Sequence, residues 1–489
     1  MIGSQQLIID WKNFVSGMST NDDTQDAGFS PKVTVSGKEN GQVNLIAKPG
    51  ILYAPGTATD ADPTTAILTA EIIASVQDHN TTDIDSGLFV ADDGTFYKYN
   101  GTRTQYPDEA NAEDSANTFQ EGFTDAMNFA GATFFTSKEK ITKWSGTSTF
   151  DHDYTTSAFA NTTYPHPCIV FENNGFYGDK NVLLRQTTVT DTPTAILTLS
   201  TDSVIIALGV DPGTGKMLIS TTTNLNVSNT LPSLNKILWY DGFSNKVLKV
   251  VIVEDMVLSF NSVGGIVIVT YGLNIGYLNG SGIQFLRRLN NAGFVQDELP
   301  YKHHTAVIGN TFYVVDKNQI LAFGEVLAGK KVWYHAWEST SGAGTSPDIR
   351  AIFHVGSNKL AVSFETNKFF VFTVTATTAG GRLRFATNKY NFERPVYIRS
   401  AVIEYIDAVA NANDTRNLYY SSDGFASEIE MAIEGNTTLT LKNETGATTL
   451  LQENIIGVAS KTRIAQFRYF AGTTNYGVKR IIIYYDYAE

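Results

Sequence analysis

One unit recurs along most of this chain, and its period restricts the fold more than any other feature. The unit is an apolar strand, a short polar turn, then a strand that often ends in an aromatic residue and a glycine. The clearest copy is Leu88-Phe89-Val90-Ala91-Asp92-Asp93-Gly94-Thr95-Phe96-Tyr97-Lys98-Tyr99-Asn100-Gly101-Thr102. The next begins at Thr133 and ends on Trp144-Ser145-Gly146-Thr147, so both close on aromatic-x-Gly-Thr. Looser copies begin at Phe176, Met217, Ile266, Phe312 and Leu360. The Met217 copy is interrupted and closes late, at Leu238-Trp239-Tyr240-Asp241-Gly242. From starts at 88, 133, 176, 217, 266, 312 and 360, the spacings are 45, 43, 41, 49, 46 and 48 residues.

A period in the mid-forties holds four strands of roughly five or six residues with their turns. The expected fold is therefore all-β, a seven-bladed β-propeller over residues 51–394 in which each copy is one hairpin of a blade. The uneven spacing also admits six or eight blades, and an irregular β-sandwich of unrelated hairpins is the rival. Abundant Phe (29) and Tyr (23), with recurrent Val, Ile and Thr, suit a pleated, half-buried surface.

The pattern changes after Arg394-Pro395. Residues 395–489 offer strands at 396–406, 418–421, 437–442, 463–470 and 480–487, separated by polar turns. They predict a C-terminal β-sandwich or jelly-roll. Residues 1–50 read as an N-terminal extension with a strand at 42–47, which either runs along the ring or supplies a strand that closes it.

Little in the sequence points to catalysis. Cys168 is the only cysteine, which excludes an intrachain disulfide and a Cys-based zinc site and fits a chain made in a reducing cytoplasm. The first residues lack the basic-then-apolar layout of a signal peptide, and no apolar run reaches about 18 residues, so membrane insertion is not expected. Gly209-Val210-Asp211-Pro212-Gly213-Thr214-Gly215-Lys216 hints at a phosphate loop. That spacing needs glycine at 210 and Ser or Thr at 217, where Val210 and Met217 stand. An ordinary turn between two strands is the better reading. His303-His304 suggests metal ligation, but neighbours on a strand point to opposite faces and no nearby acid completes a set. No catalytic residue, metal ligand or cofactor is nominated, and the chain is expected not to be an enzyme.

Charge is distributed unevenly. Residues 1–132 hold 6 Lys/Arg and 19 Asp/Glu, whereas the remaining 357 hold 30 of each. Such a chain lacks the basic footprint of a tight nucleic-acid binder. Two readings of the acids stay open: solvated loops that aid solubility, or the wall of a channel for DNA. Acidic walls repel a duplex over about 8 Å at physiological salt. Asp60, Asp62, Asp83, Asp85, Asp92, Asp108, Glu109, Glu113 and Asp114 are the candidates for that wall.

The amino-terminal stretch carries a family resemblance. It reads Ile9-Asp10-Trp11-Lys12-Asn13-Phe14-Val15-Ser16-Gly17-Met18-Ser19-Thr20-Asn21-Asp22-Asp23, then Asn44-Leu45-Ile46-Ala47-Lys48-Pro49-Gly50-Ile51. A short strand, Phe-x-x-Gly, an Asp-rich turn and a strand ending in Pro-Gly resemble the opening of tailed-phage virion proteins. The overall plan is similar to the hub, or nozzle, proteins of short-tailed phages. The resemblance implies a structural protein of the virion tail, assembled in the host cytoplasm. It implies a six-fold homo-oligomeric ring that continues the DNA-ejection channel. Portal and adaptor rings and tail-fibre or tailspike proteins would be its partners, with DNA only in transit. The competing class is a tail-fibre, baseplate or receptor-binding module that recognises a host-surface glycan.

Overall fold

The computed structural model describes residues 7–12, 29–30, 45–48, 51–53, 72–77, 87–91, 95–99, 103–106, 125–144, 150–155, 158–223, 225, 233–289, 301–317, 319–327, 330–338, 349–356, 358–364, 369–374, 381–387, 390–406, 416–422, 429–431, 452–474 and 477–488. Among these residues there is no α-helix. One 3-10 turn, Tyr301–His304, interrupts the strands.

Seven small antiparallel sheets follow one another along the chain, each built of strands consecutive in sequence. Sheet one is Ile72–Gln77, Gly87–Ala91, Phe96–Tyr99 and Arg103–Tyr106. Sheet two is Ala126–Phe129, Ala132–Thr136, Ile141–Trp144 and Phe150–Thr155. Sheet three comprises Cys168–Phe171, Asn174–Asp179, Val182–Gln186 and Thr194–Thr198. Sheet four comprises Val204–Asp211, Lys216–Thr222, Asn235–Tyr240 and Lys249–Val253. Sheet five runs through Val257–Val263, Ile266–Tyr271, Asn274–Asn279 and Gly282–Arg288. Sheet six runs through Thr305–Ile308, Thr311–Asp316, Gln319–Leu327 and Lys330–Glu338. Sheet seven has three described strands, Ile349–Val355, Lys359–Phe364 and Phe369–Thr373. The fold is a β-propeller.

Each repeat found in the sequence starts on the second strand of its sheet. These second strands are buried on both faces, as in Gly87–Ala91 and Ala132–Thr136, where every residue is buried. Sheets on either side cover them, so they read as continuous apolar runs rather than as alternation. Tight turns join the strands. Glu172 and Asn173 both take positive φ (47° and 59°), the geometry of a two-residue hairpin whose twist matches its strands.

Neighbouring sheets share apolar layers. Phe96 of sheet one meets Phe135 of sheet two edge to face, with ring centroids 5.2 Å apart. Sheets three and four share Phe176, Leu183, Ile205, Met217, Ile219 and Tyr240. The first and last sheets pack together in the same way. Phe89, Tyr97 and Tyr99 of sheet one join Phe353, Val355 and Val371 of sheet seven in one buried cluster. Phe89 and Phe353 stand edge to face at 5.9 Å. The ring thus closes by packing sheet seven against sheet one.

The chain divides into two compact units, one of residues 60–317 with 348–372, the other of residues 1–59, 318–347 and 373–489. The second unit contains a ten-stranded sheet. Its strands are Leu7–Lys12, Phe29–Ser30, Leu45–Lys48, Ile51–Tyr53, Gly381–Thr387, Tyr390–Ile406, Arg416–Ser421, Ile429–Met431, Gln452–Thr474 and Gly477–Tyr487. The long strand Gln452–Thr474 pairs over 452–465 with Tyr390–Ile406. Its remainder lies between Arg416–Ser421 and Gly381–Thr387. Leu7–Lys12 pairs antiparallel with Arg480–Tyr485, and Phe29-Ser30 with Ala386-Thr387. The strand read at 437–442 lies outside the described residues.

Candidate functional site

The nine acids picked out by charge, Asp60, Asp62, Asp83, Asp85, Asp92, Asp108, Glu109, Glu113 and Asp114, all lie outside the described residues. The centre of the propeller is described, and it concentrates the polar groups that an apolar ring has to place.

Hydrogen bonds join every consecutive pair of sheets. Asn128 Nδ2 donates to the Gln77 carbonyl (2.7 Å), linking sheets two and one. The Cys168 amide donates to Asp125 Oδ2 (2.9 Å), linking sheet three to the start of sheet two. The Ile205 amide reaches the Lys180 carbonyl at 2.7 Å, and Ser220 Oγ the Val257 carbonyl at 2.7 Å. Thr305 Oγ1 donates to Asn261 Oδ1 (3.0 Å), and the Ile349 amide to the Lys317 carbonyl (2.9 Å). The Ile72 amide donates to Ser363 Oγ (3.1 Å) and completes the circuit between sheets one and seven. The bonds from Cys168, Ser220 and Ile72 satisfy buried donors, each of which would otherwise cost about 1–3 kcal/mol.

Asp125 and His303 reach across this circuit. Asp125 precedes the first strand of sheet two, and its Oδ1 accepts the Ala126 amide at 2.6 Å. His303 precedes the first strand of sheet six, and its Nε2 stands 4.0 Å from Asp125 Oδ1. Both residues are buried. His303 and His304 lie in the 3-10 turn and not on a strand as their pattern suggested, so both imidazoles are buried in the centre. The acid near His303 comes from 178 positions earlier in the chain, which no local reading of the sequence reveals. Burial, reinforced by His303 and Arg350, pushes His304 down to about 3. Among the described residues no group of three His, Cys, Asp or Glu is placed to hold a metal ion.

Beside this pair lies a cavity of about 360 Å³. Its walls come from the first strands of sheets one, five, six and seven, with Gln77, Asn261, Ser262, His303, Thr305 and His354 as polar groups. Phe260 and Phe353 are its aromatic surfaces. Burial lowers the pKa of His354, so the ring faces the cavity wall mainly uncharged near neutrality.

The glycine-rich stretch 209–216 is a hairpin end, as its spacing suggested. Asp211 organises it, with Oδ1 accepting the Gly213 amide (3.0 Å) and Oδ2 accepting Thr214 Oγ1 (2.7 Å) and Trp239 Nε1 (3.0 Å). A carboxylate fills the position where a phosphate would need amides. The stretch has no phosphate-binding geometry.

No family model matches this chain. No curated protein matches it either. Solved structures do resemble it. The computationally designed Ika8 protein is 12% identical, with a TM-score of 0.39 over 63% of this chain and 97% of that one. YCF48 from Cyanidioschyzon merolae is 10% identical, with a TM-score of 0.42 over 63% of this chain and 98% of that one. BBS1N, from its complex with ARL6DN, is 10% identical, with a TM-score of 0.44 over 66% and 99%. The propeller assignment rests on the seven sheets and their closure and takes nothing from these likenesses.

Proposed function

We propose that the chain is a structural component of a bacteriophage tail, a hub or nozzle subunit that acts as a scaffold and not as an enzyme. In this reading several copies form a ring around the DNA-ejection channel and anchor other tail components. The observation that carries it is the plan of the chain. The amino-terminal stretch that resembles tailed-phage virion proteins is woven beside the last strand, Leu7 opposite Tyr485 and Lys12 opposite Arg480. The propeller lies between these two ends in sequence. A body whose first and last strands are locked together by a ladder of hydrogen bonds suits a part that bears load.

The propeller axis itself is too small for DNA. His303 and Asp125, from the approaches to sheets six and two on different sides of the ring, come within 4.0 Å of each other, far less than the width of a duplex, whose major groove alone is about 12 Å wide. In a hub, DNA therefore passes between subunits and not through one. Negative-stain images of the purified chain test the reading. A closed ring with a wide lumen supports it, and a population of single particles at every concentration overturns it.

A second reading, a receptor-binding tail module, is favoured by the cavity. Its volume falls at the small end of the range for ligand sites, and its amide, hydroxyl and aromatic walls suit a sugar ring. Binding of host-surface glycans to the purified chain, lost in His354→Ala, would favour this reading.

A further inference from the structure

Two Asn-Gly pairs lie among the described residues, both at hairpins, and the fold treats them differently. The backbone nitrogen after an asparagine can attack the side-chain amide. Glycine is the follower that hinders this least, because it has no Cβ. At Asn174-Gly175 the attack is blocked twice. Asn174 Nδ2 donates to the Glu172 carbonyl at 2.7 Å, which turns the side chain back towards the residues before it. Gly175 is buried within sheet three, its backbone paired opposite Val170 and Gln186.

Asn279-Gly280, at the end of the third strand of sheet five, has neither restraint. Both residues are exposed. The ladder between Asn274–Asn279 and Gly282–Arg288 stops at Asn279 opposite Gly282, so Gly280 and Ser281 form the turn and take no part in it. Here the side chain folds forward. Asn279 Oδ1 accepts the Ser281 amide (3.1 Å), Ser281 Oγ (2.9 Å) and the Gly282 amide (3.0 Å). The ring of atoms closed by the first of these bonds contains both Asn279 Cγ and the Gly280 nitrogen, so electrophile and nucleophile are held in one small loop. The donors also matter chemically. Attack on Cγ moves an electron pair onto Oδ1, and three donors already aimed at that oxygen stabilise the charge as it develops.

We infer that Asn279-Gly280 is a site of spontaneous covalent modification, which this turn converts to aspartate and isoaspartate while Asn174 keeps its amide. The Gly280 nitrogen gives its proton to solvent and forms a bond to Asn279 Cγ. The Cγ–Nδ2 bond breaks, and Nδ2 takes up a proton and leaves as ammonia. The product is a five-membered succinimide, which water opens at either carbonyl. The net change is asparagine and water to aspartate or isoaspartate and ammonia. Aspartate adds one negative charge. Isoaspartate lengthens the backbone by one carbon in a two-residue turn, where loop length sets the register of the hairpin. The change falls where Lys249, on the outer strand of sheet four, donates to the Gly280 carbonyl. The modified turn therefore loosens a tie between sheets four and five.

The experiment incubates the purified full-length chain in mildly alkaline buffer and maps its peptides by mass spectrometry, with chromatography to separate the two products. Aspartate and isoaspartate should accumulate at position 279 about 10-fold or more faster than at position 174. Gly280→Ala should slow conversion by about 10-fold or more. A Cβ on Gly280 meets nothing nearer than Lys249 Nζ at 3.9 Å, so this variant keeps the fold. Ser281→Ala removes one of the three donors to Oδ1 and should slow conversion by about 3-fold or more. In urea the two pairs should react at similar rates. Conversion at 174 as fast as at 279 in the folded chain overturns the assignment. An unchanged rate in Ser281→Ala overturns the role given to the donors of the turn. If position 174 stays equally slow in urea, its sequence neighbours and not the fold protect it, and the structural account falls.

Discussion

His303 Nε2 and Asp125 Oδ1 lie 4.0 Å apart, joining the approach to sheet six with the approach to sheet two across the middle of the propeller. Asp125 also accepts the amides of Ala126 and Cys168, so a single buried carboxylate organises three segments. Asp125→Ala leaves two buried amides without their acceptor and should cost about 2–4 kcal/mol. Asp125→Asn keeps one acceptor oxygen and should cost less. Urea denaturation of the two variants checks the order, and equal stability of Ala and Asn would contradict it.

The buried histidines predict how stability depends on pH. His304 sits at about 3, and burial also lowers His354 and His166, the latter despite two carbonyls at its ring nitrogens. Each is less basic folded than unfolded, where imidazole titrates near 6.5. Below about 6.5 the unfolded chain therefore binds more protons than the folded one, and stability rises with pH. The full contribution of these groups is present above about 6.5. For His304 it is lost as pH falls towards about 3, with a slope of up to about 1.4 kcal/mol per pH unit. Urea midpoints at successive pH values should fall with acid, and His304→Gln should flatten that slope.

Sheets four and five approach each other so closely that one position admits no side chain. A Cβ on Gly209 would sit 2.3 Å from Phe260 Cβ and 2.8 Å from Cγ. Gly209→Ala should destabilise by about 1–3 kcal/mol through overpacking. Because the clash includes the Phe260 Cβ, only backbone movement relieves it fully. Adding Phe260→Ala should recover part of the loss and not all of it. Thermal melts of the single and double variants decide this, and full recovery would place the strain in the ring alone.

Closure is tested at Ser363. Its hydroxyl accepts the Ile72 amide at the seam between sheets seven and one. Ser363→Ala should cost about 1–2 kcal/mol. It should also speed amide exchange selectively at Ile72 and its neighbours. Uniform acceleration through all seven sheets would mean that the seam has no separate opening.

The repeat was legible because its residues obey a local rule. A second strand covered on both faces must be apolar throughout, and Leu88–Ala91, Phe312–Val315 and Leu360–Val362 show that plainly. The fourth copy was blurred because residues 223–234 separate its second and third strands. What closes the ring was not legible. Ser363 reaches Ile72 across 291 positions and His303 reaches Asp125 across 178, and nothing in a serine or a histidine announces a partner so far away. The ten-stranded sheet was half legible for a similar reason. Alternation marked its C-terminal strands, but pairing with Leu7–Lys12 depends on register that the sequence does not display. Val250 and Ile252 read as core residues, yet they are 48% and 68% exposed, because burial depends on neighbours that a strand pattern does not name.

The pairing of the chain's ends also sets a timetable. Gly477–Tyr487 lies against Leu7–Lys12, Ile51–Tyr53 and Tyr390–Ile406, which makes it the keystone of its sheet. It follows the propeller in sequence, whereas Leu7–Lys12 precedes it, so Leu7–Lys12 waits through synthesis of all seven sheets for its partner. The propeller sheets, each made of consecutive strands, can form as they emerge. A chain cut short by a few dozen residues would carry finished blades beside an unfinished terminal sheet. Closure of the terminal sheet thereby follows formation of the blades.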